Sequence, residues 1–382
     1  MTHRPSVIRA GWRALGLLSL AAAGAGCSHS EPFSNPQGSE EPFDPGPPAR
    51  LTLNPGHDGH PSWLPDGSGI LYSSQQLDRT DADVCLTELP ETGGRQRWLA
   101  CDLAGDRTSR DAGQSAAVSP DGRLAVLRAG NGESGGQSPV FLDIALAPSL
   151  DVHQAQTVRT LPFAPAGGAS HDYAGHLRWL REDALVYVGQ LFRAQPACPD
   201  RGCPLDTLLL GTEVTLLELS GSAVNGSALP GTTQATGVAP ILDGTAILYT
   251  LRADTRIYRR DLSSGQVAVV HDFGAAGVAR DVHAAGDRMA AVVGGRLGFA
   301  VDPRIGPAEW DSGGIVHVLE LDGANPVVLD TPGRLYRRPA LSPDGSRLVA
   351  EGFPLIINVN PVTGEIDTTV NRSGDLYLFG AE

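Results

Sequence analysis

The chain writes one short sentence repeatedly, and that repetition limits its folds more than any other feature. Residues 115–127 read SAAVSPDGRLAVL and residues 338–350 read RPALSPDGSRLVA. Looser copies surround Asp66 (HPSWLPDGSGILYSS), Asp183 (HLRWLREDALVYVGQ), Asp243 (VAPILDGTAILYTLR) and Asp287 (DVHAAGDRMAAVVGG). Together with Asp121 and Asp344 these make six units at a period of roughly 45–60 residues, the mark of stacked structural repeats.

Each unit has a physical logic. A short apolar stretch leads into a Pro-Asp-Gly type of turn. Pro presets φ, Asp caps with its side chain, and Gly takes the positive φ that closes a hairpin. An alternating apolar strand follows, such as ILYSS or RLAVL. Most units then carry a second hairpin, as in DVCLTELPETGGRQRWLA, RIYRRDLSSGQVAVVHDF and GIVHVLELDGANPVVLDT. That gives four antiparallel strands per unit. A sheet so small buries both faces only by radial stacking on its neighbours, which predicts an all-β, six-bladed β-propeller. The 47 Gly and 29 Pro among 382 residues agree, since they disfavour long helices. Residues 49–56 (ARLTLNPG) read as an outer strand with no unit before it, whereas the last unit ends abruptly at GDLYLFGAE. The ring is therefore expected to close by pairing the N- and C-terminal strands. Residues 354–373 fit either an inserted hairpin or part of the last sheet.

The segments PSWLPDGSGILYSS, AAVSPDGRLAVLRA and PALSPDGSRLVAEG resemble the WD40-like (PD40) repeat of the TolB-like propellers. The resemblance covers residues 49–382, is strong in three units and weak in three, and implies a six-bladed ring with a central channel. It departs from TolB in lacking an α/β domain between residue 49 and the leader, so the function of that protein does not follow.

Residues 1–26 read as an address. Arg4, Arg9 and Arg13 precede the apolar run ALGLLSLAAAGAG, which is too short to span a bilayer. Gly24, Ala25 and Gly26 before Cys27 resemble a bacterial lipobox, with Gly24 where Leu is usual. The resemblance implies cleavage before Cys27 and its acylation; an ordinary signal peptide cut elsewhere is the alternative. Residues 27–48, rich in Pro, Ser and Glu, form a lipidated tether unable to bury a core. With Ser28 after the Cys, the expected address is the cell envelope: lipid-anchored, at the outer membrane, facing periplasm or cell surface.

The remaining cysteines suit an oxidising compartment. A hairpin turning at Gly93 sets Cys85 opposite Cys101, and a bridge there stabilises by about 3 kcal/mol. Cys198 and Cys203 would close a small loop. Neither pair has the spacing of a zinc site. A formal charge of −14, carried against arginine alone with no lysine, disfavours nucleic acid. There is no G-x-S-x-G elbow, P-loop or dinucleotide fingerprint. Neither the acidic run at Asp78, Asp81 and Asp83 nor the EWDSGG string at 309–314 matches a calcium loop or a protease triad.

In such a ring the first strand of each blade lines the channel. The segments entering those strands supply His57, Asp58, His60, Arg110, Asp111, His171, Asp172, His176, Arg280, Asp281, His283, Arg337 and Arg338, which would ring the mouth. On the same face lie long connections at 189–210, at 295–312 with Phe299 and Trp310, and at 354–373, where binding residues tend to accumulate. Trp63, Trp98 and Trp179 are expected to pack between blades. Two functions compete. One is non-catalytic: a monomeric binding or scaffold protein without cofactor, holding an envelope protein or a small polar ligand at the loop-rich face. The other is a metal-dependent lyase or hydrolase acting on a saccharide or ester, with His57, His60, His171 and His176 as ligands. The TolB-like repeats of oligogalacturonate lyases imply such a His-rich centre.

Overall fold

The computed structural model describes residues 46–53, 56–75, 84–101, 115–129, 142–161, 170–196, 205–220, 223–294, 297–302, 306–311, 313–359, 366–370 and 374–380. The leader 1–26, Cys27, the tether to residue 45, the Asp78–Asp83 segment, Cys198 and Cys203 lie outside them.

Six four-stranded antiparallel sheets form a six-bladed β-propeller. Blade one is Asp58–Trp63, Gly69–Gln75, Val84–Pro90 and Arg97–Cys101. Blade two is Ala116–Val118, Leu124–Ala129, Leu142–Ala147 and Gln156–Leu161. Blade three is Ser170–Arg181, Ala184–Pro196, Leu205–Ser220 and Ala223–Ala228. Blade four is Ala235–Ile241, Ala246–Leu251, Arg256–Asp261 and Val267–Asp272. Blade five is Ala279–Ala285, Arg288–Val293, Ile315–Glu320 and Val327–Leu329. Blade six is Arg334–Leu341, Leu348–Val359 and Asp375–Phe379, completed on its outer edge by Ala49–Arg50.

The closure is as the sequence predicts. Ala49 pairs with Leu378 and Arg50 with Tyr377, and Leu51 N donates to Leu376 O at 2.8 Å. The first strands of successive blades touch around the whole ring, blade six against blade one included. The core follows the same geometry. Six apolar clusters fill six blade-to-blade interfaces, whereas a linear stack of six sheets would have only five. The closing interface joins Trp63, Ile70 and Tyr72 of blade one to Ala340, Val349 and Leu376 of blade six.

The repeated turn works as its residues dictate. The Asp344 carboxylate accepts from Ser346 N at 3.0 Å and Ser342 Oγ at 2.6 Å, and Asp66 accepts from Ser68 N at 3.0 Å. Gly345 takes φ +72°, where a Cβ would also lie 3.0 Å from Ala285 O of the preceding blade.

Two tryptophans stitch neighbouring blades by one device. Trp63 Nε1 donates to Ala340 O at 2.9 Å, and Trp179 Nε1 to Ala117 O at 3.0 Å, each acceptor lying in the first strand of the preceding blade. Arg347 and Arg123 lie over these two rings at 5.0 and 4.9 Å. Trp98 departs from the expected pattern: it sits on the outer strand of blade one, 49% exposed, because that strand has no neighbouring sheet beyond it. Cys85 and Cys101 are cross-strand partners and form the predicted disulfide.

Three connections between second and third strands rise beyond the blades. In blade three both strands lengthen, pairing from Ala184–Glu218 out to Pro196–Leu205. In blade five Leu297–Asp302 pairs with Gly306–Asp311, and in blade six Ile366–Val370 pairs with the far half of Leu348–Val359. Leu355–Val359 and Ile366–Val370 thus pair as an inserted hairpin. All three rise on the face where the first strands begin. The tight turns and Ala49 lie on the opposite face. Among the described residues no helix is long and apolar enough to cross a membrane.

Candidate functional site at the channel mouth

Four first strands carry a β-bulge at the same level, with register shifts between Gly59 and Ser62, Gly175 and Arg178, Arg280 and His283, and Arg337 and Ala340. Within each bulge one residue is left-handed: His60 (φ 55°), His176 (62°), Asp281 (52°) and Arg338 (47°). Left-handed backbone costs a non-glycine residue roughly 1–2 kcal/mol, and bulges re-aim side chains. Four blades bear that cost at equivalent points, each with a titratable side chain. Such strain concentrates where structure serves a site.

The side chains interlock. Glu351, from the second strand of blade six, is fully buried. Its carboxylate accepts from Arg338 Nη1 at 3.0 and 3.1 Å and from the His60 backbone N–H at 2.6 Å, and Arg337 Nε lies 3.4 Å away. Arg338 N donates to Asp281 Oδ2 at 3.1 Å, and Asp281 Oδ1 lies 3.1 Å from His176 Nε2. One polar chain therefore runs His60–Glu351–Arg338–Asp281–His176 through blades one, six, five and three. Its last step passes blade four, which presents Gly237. A Cβ there would lie 2.9 Å from Asp281 N and 2.7 Å from Val282 N.

Electrostatics follow from this geometry. Burial works to raise the Glu351 carboxyl, but Arg338 and then Arg337 outweigh it and hold it far below the carboxylate range. Burial likewise opposes ionisation of Asp281, and its hydrogen bond and charge interaction with His176, then Arg338 and Arg280, prevail and depress it. His60 is held well below its ordinary value, first by burial and then by Arg338. His283 is depressed by burial and then by Arg178. Leu341 N donates to His283 Nδ1 at 3.2 Å, which suits the neutral ring. His60 Nε2 is buried and has no hydrogen-bond partner.

The remaining predicted residues are placed as follows. His57 Nδ1 accepts from Gly374 N at 3.1 Å, and its ring stacks on Phe353, whose other neighbour is the Arg337 guanidinium at 4.0 Å. Asp58 is fully buried at the start of its strand, its N–H donating to Gly374 O at 2.9 Å. Arg280 is buried and donates to Gly313 O at 2.5 Å. His171 and Asp172 pair with Leu191 and Gln190 along the backbone, their side chains lying outside the described residues, as do Arg110 and Asp111 entirely. Among the described residues no three His, Cys, Asp or Glu side chains converge to hold a metal ion.

Glu351 is the member that sequence reasoning missed. It stands in the apolar strand RLVAEGFP, and a lone acid in a strand otherwise built for burial was the available signal.

The fold is a six-bladed β-propeller whose first strands are linked by a buried polar network. Comparison with one solved structure agrees on the fold. A gluconolactonase from Xanthomonas campestris superposes with a TM-score of 0.50 at 16% identity, covering 91% of this chain and 97% of that one. TolB from Acinetobacter baumannii gives 0.46 at 14% over 76% of this chain, and the chain spans 58% of its length. A putative TolB from Agrobacterium tumefaciens gives 0.46 at 15%, covering 78% and 90%. At 16% identity the likeness to the gluconolactonase is one of fold. No protein-family model matches the sequence and no curated relative matches it.

Proposed function

We propose that the protein is an exported, lipid-anchored binding protein of the bacterial cell envelope, which holds an envelope protein or small polar ligand on its hairpin-bearing face. The observation that carries this reading is the placement of three β-hairpins, from blades three, five and six, on one face of a rigid ring. Chain length spent on one face alone builds a recognition surface. The charged groups at the mouth are spent largely on one another, which favours a rigid platform over a set of catalytic groups. A photo-crosslinking residue at Phe299 or Thr369 should trap a discrete envelope partner, and one at Ser264, in an exposed turn of the tight-turn face, should not. Labelling only from Ser264 would refute the reading. Stoichiometric Mn, Ca or Zn, lost on mutating His171 and His176, would instead support the metal-dependent lyase or hydrolase.

A further inference from the structure

Each blade ends in an outer strand, and an edge that keeps its backbone groups unpaired invites pairing with another chain. Five of the six outer strands carry a device against this. That of blade one carries Arg97, and that of blade two Arg159. That of blade three contains Gly226, that of blade five is three residues directly after Pro326, and that of blade six is two residues. The outer strand of blade four, Val267–Asp272, differs. Val267, Ala268, Val269 and Val270 follow one another without a charge, a Gly or a Pro. Among the described residues no further strand pairs with it.

The ladder fixes which backbone groups point outward. Asp261 N donates to Gln266 O at 3.0 Å, so these two form a hydrogen-bonded pair. Bonded and non-bonded pairs alternate along an antiparallel ladder. Arg260–Val267 and Tyr258–Val269 are therefore non-bonded pairs, with Arg259–Ala268 the bonded pair between them. Val267 and Val269 thus turn their N–H and C=O groups away from the sheet, and their side chains are 47% and 50% exposed. A turn of blade five bounds this edge at one end, where His271 Nδ1 donates to Gly323 O at 2.9 Å. At the other end Ser264 Oγ donates to Asp261 Oδ1 at 2.8 Å, which folds the turn back toward the third strand and off the edge. The open stretch is Val267–Val269.

Charge beside the edge says what fits it. Arg259 is the cross-strand neighbour of Ala268 and shares its face of the sheet. It is exposed, and among the described residues no carboxylate or other acceptor holds its guanidinium. Arg256 on the same strand is instead tied to Asp254, with Nε 2.8 Å from Oδ1. Paired strands lie about 4.8 Å apart, so a strand added beyond Ala268 stands about 10 Å from the Arg259 backbone. An arginine and a glutamate span that gap over a side chain as small as alanine. The matching occupant is an extended segment with β-branched residues beside Val267 and Val269 and a carboxylate toward Arg259. A second copy of this chain does not bring that acid. In the antiparallel register that sets Val267 against Val269 of the copy, Ala268 meets Ala268 and another arginine arrives on that face. The one carboxylate of the strand, Asp272, already accepts from Thr255 Oγ1 at 2.6 Å and from Gly274 N at 2.9 Å.

We propose that this edge receives a short extended segment of a partner protein, paired with Val267 and Val269 through the backbone and with Arg259 through an aspartate or glutamate. The test is selection of a random nine-residue peptide library on the purified protein, followed by titration of the selected peptide into wild type and variants. Wild type selects peptides in which β-branched residues alternate and an acid recurs. Val269→Pro removes an outward N–H that no ladder bond uses, a change that edge strands tolerate, and weakens binding about tenfold or more. Should that variant melt early, Val267→Lys puts a charge on the same edge with the same expected loss. Arg259→Glu weakens binding several-fold, and lysine in place of the peptide's acid restores it. Bound peptide slows amide exchange at Val267 and Val269. Failure to select any peptide, or an affinity that neither edge variant changes, overturns the proposal. So does a wild-type dimer in sedimentation that Val269→Pro dissolves, which would seat a second copy on the strand. The hairpins take no part in this titration, so its outcome is independent of the reading of their face.

Discussion

His176 of blade three reaches Asp281 of blade five, with Nε2 3.1 Å from Oδ1, past the blade that lies between them. Both side chains are nearly buried, and Asp281 also accepts from the Arg338 backbone. This pair ties two non-adjacent blades and ends the polar chain that begins at His60.

Removing one partner of such a pair leaves the other's polar atom buried without it. Asp281→Ala is therefore expected to destabilise by about 3 kcal/mol or more. Urea denaturation of this variant, of His176→Ala and of the double variant should show a double-variant loss smaller than the sum. Strict additivity would mean the two groups do not interact.

Gly237→Ala tests why the pair can form. A Cβ at 237 meets Asp281 N and Val282 N well inside contact distance, so blades four and five must part. The expected loss is about 2 kcal/mol or more, far beyond an ordinary Gly→Ala change in a strand. A neutral or stabilising result in the same denaturation assay would contradict the close approach.

Stability should fall as the solution is acidified, in two stages. The folded pKa values of His60 and His283 lie below the unfolded value near 6.5. Below about pH 6.5 the unfolded chain therefore takes up protons that the folded one refuses, costing up to about 1.4 kcal/mol per pH unit for each histidine. Glu351 and Asp281 are depressed carboxylates, so their contribution is present above about pH 4 and is lost as pH drops further toward their folded values. His60→Gln with His283→Gln should flatten the slope between pH 5 and 6.5, measured by denaturant melts at fixed pH. An unchanged slope would contradict their burial as neutral rings.

Reduction of Cys85–Cys101, or Cys85→Ser with Cys101→Ser, is expected to cost about 3 kcal/mol. Non-reducing peptide mapping checks the pairing, and should also find Cys198 joined to Cys203. A crossed linkage would contradict the hairpin register.

The ring was legible because each blade repeats one local rule. Asp66, Asp121 and Asp344 announce their turns within a few residues, and the pairing of Cys85 with Cys101 follows from a turn at Gly93. The positions of His60, His176, Asp281 and Arg338 at corresponding points of the repeat were legible too, as candidates. Their mutual pairing was not. The four left-handed bulges and the reach past Gly237 depend on how blades meet around an axis, a relation no local pattern encodes. Trp98 misled for a similar reason: an aromatic in an alternating strand reads as core, but a bulge on an outer edge turns it to solvent.

Hydrogen exchange at the seam tests the ring most directly. Leu51 N donates to Leu376 O at 2.8 Å within blade six, and Asp58 N donates to Gly374 O at 2.9 Å, tying blade one to it. A closed propeller predicts that peptides covering residues 50–58 exchange as slowly as those covering 374–379. Exchange of the N-terminal peptides at the rate of an unstructured chain, with the C-terminal ones protected, would contradict it.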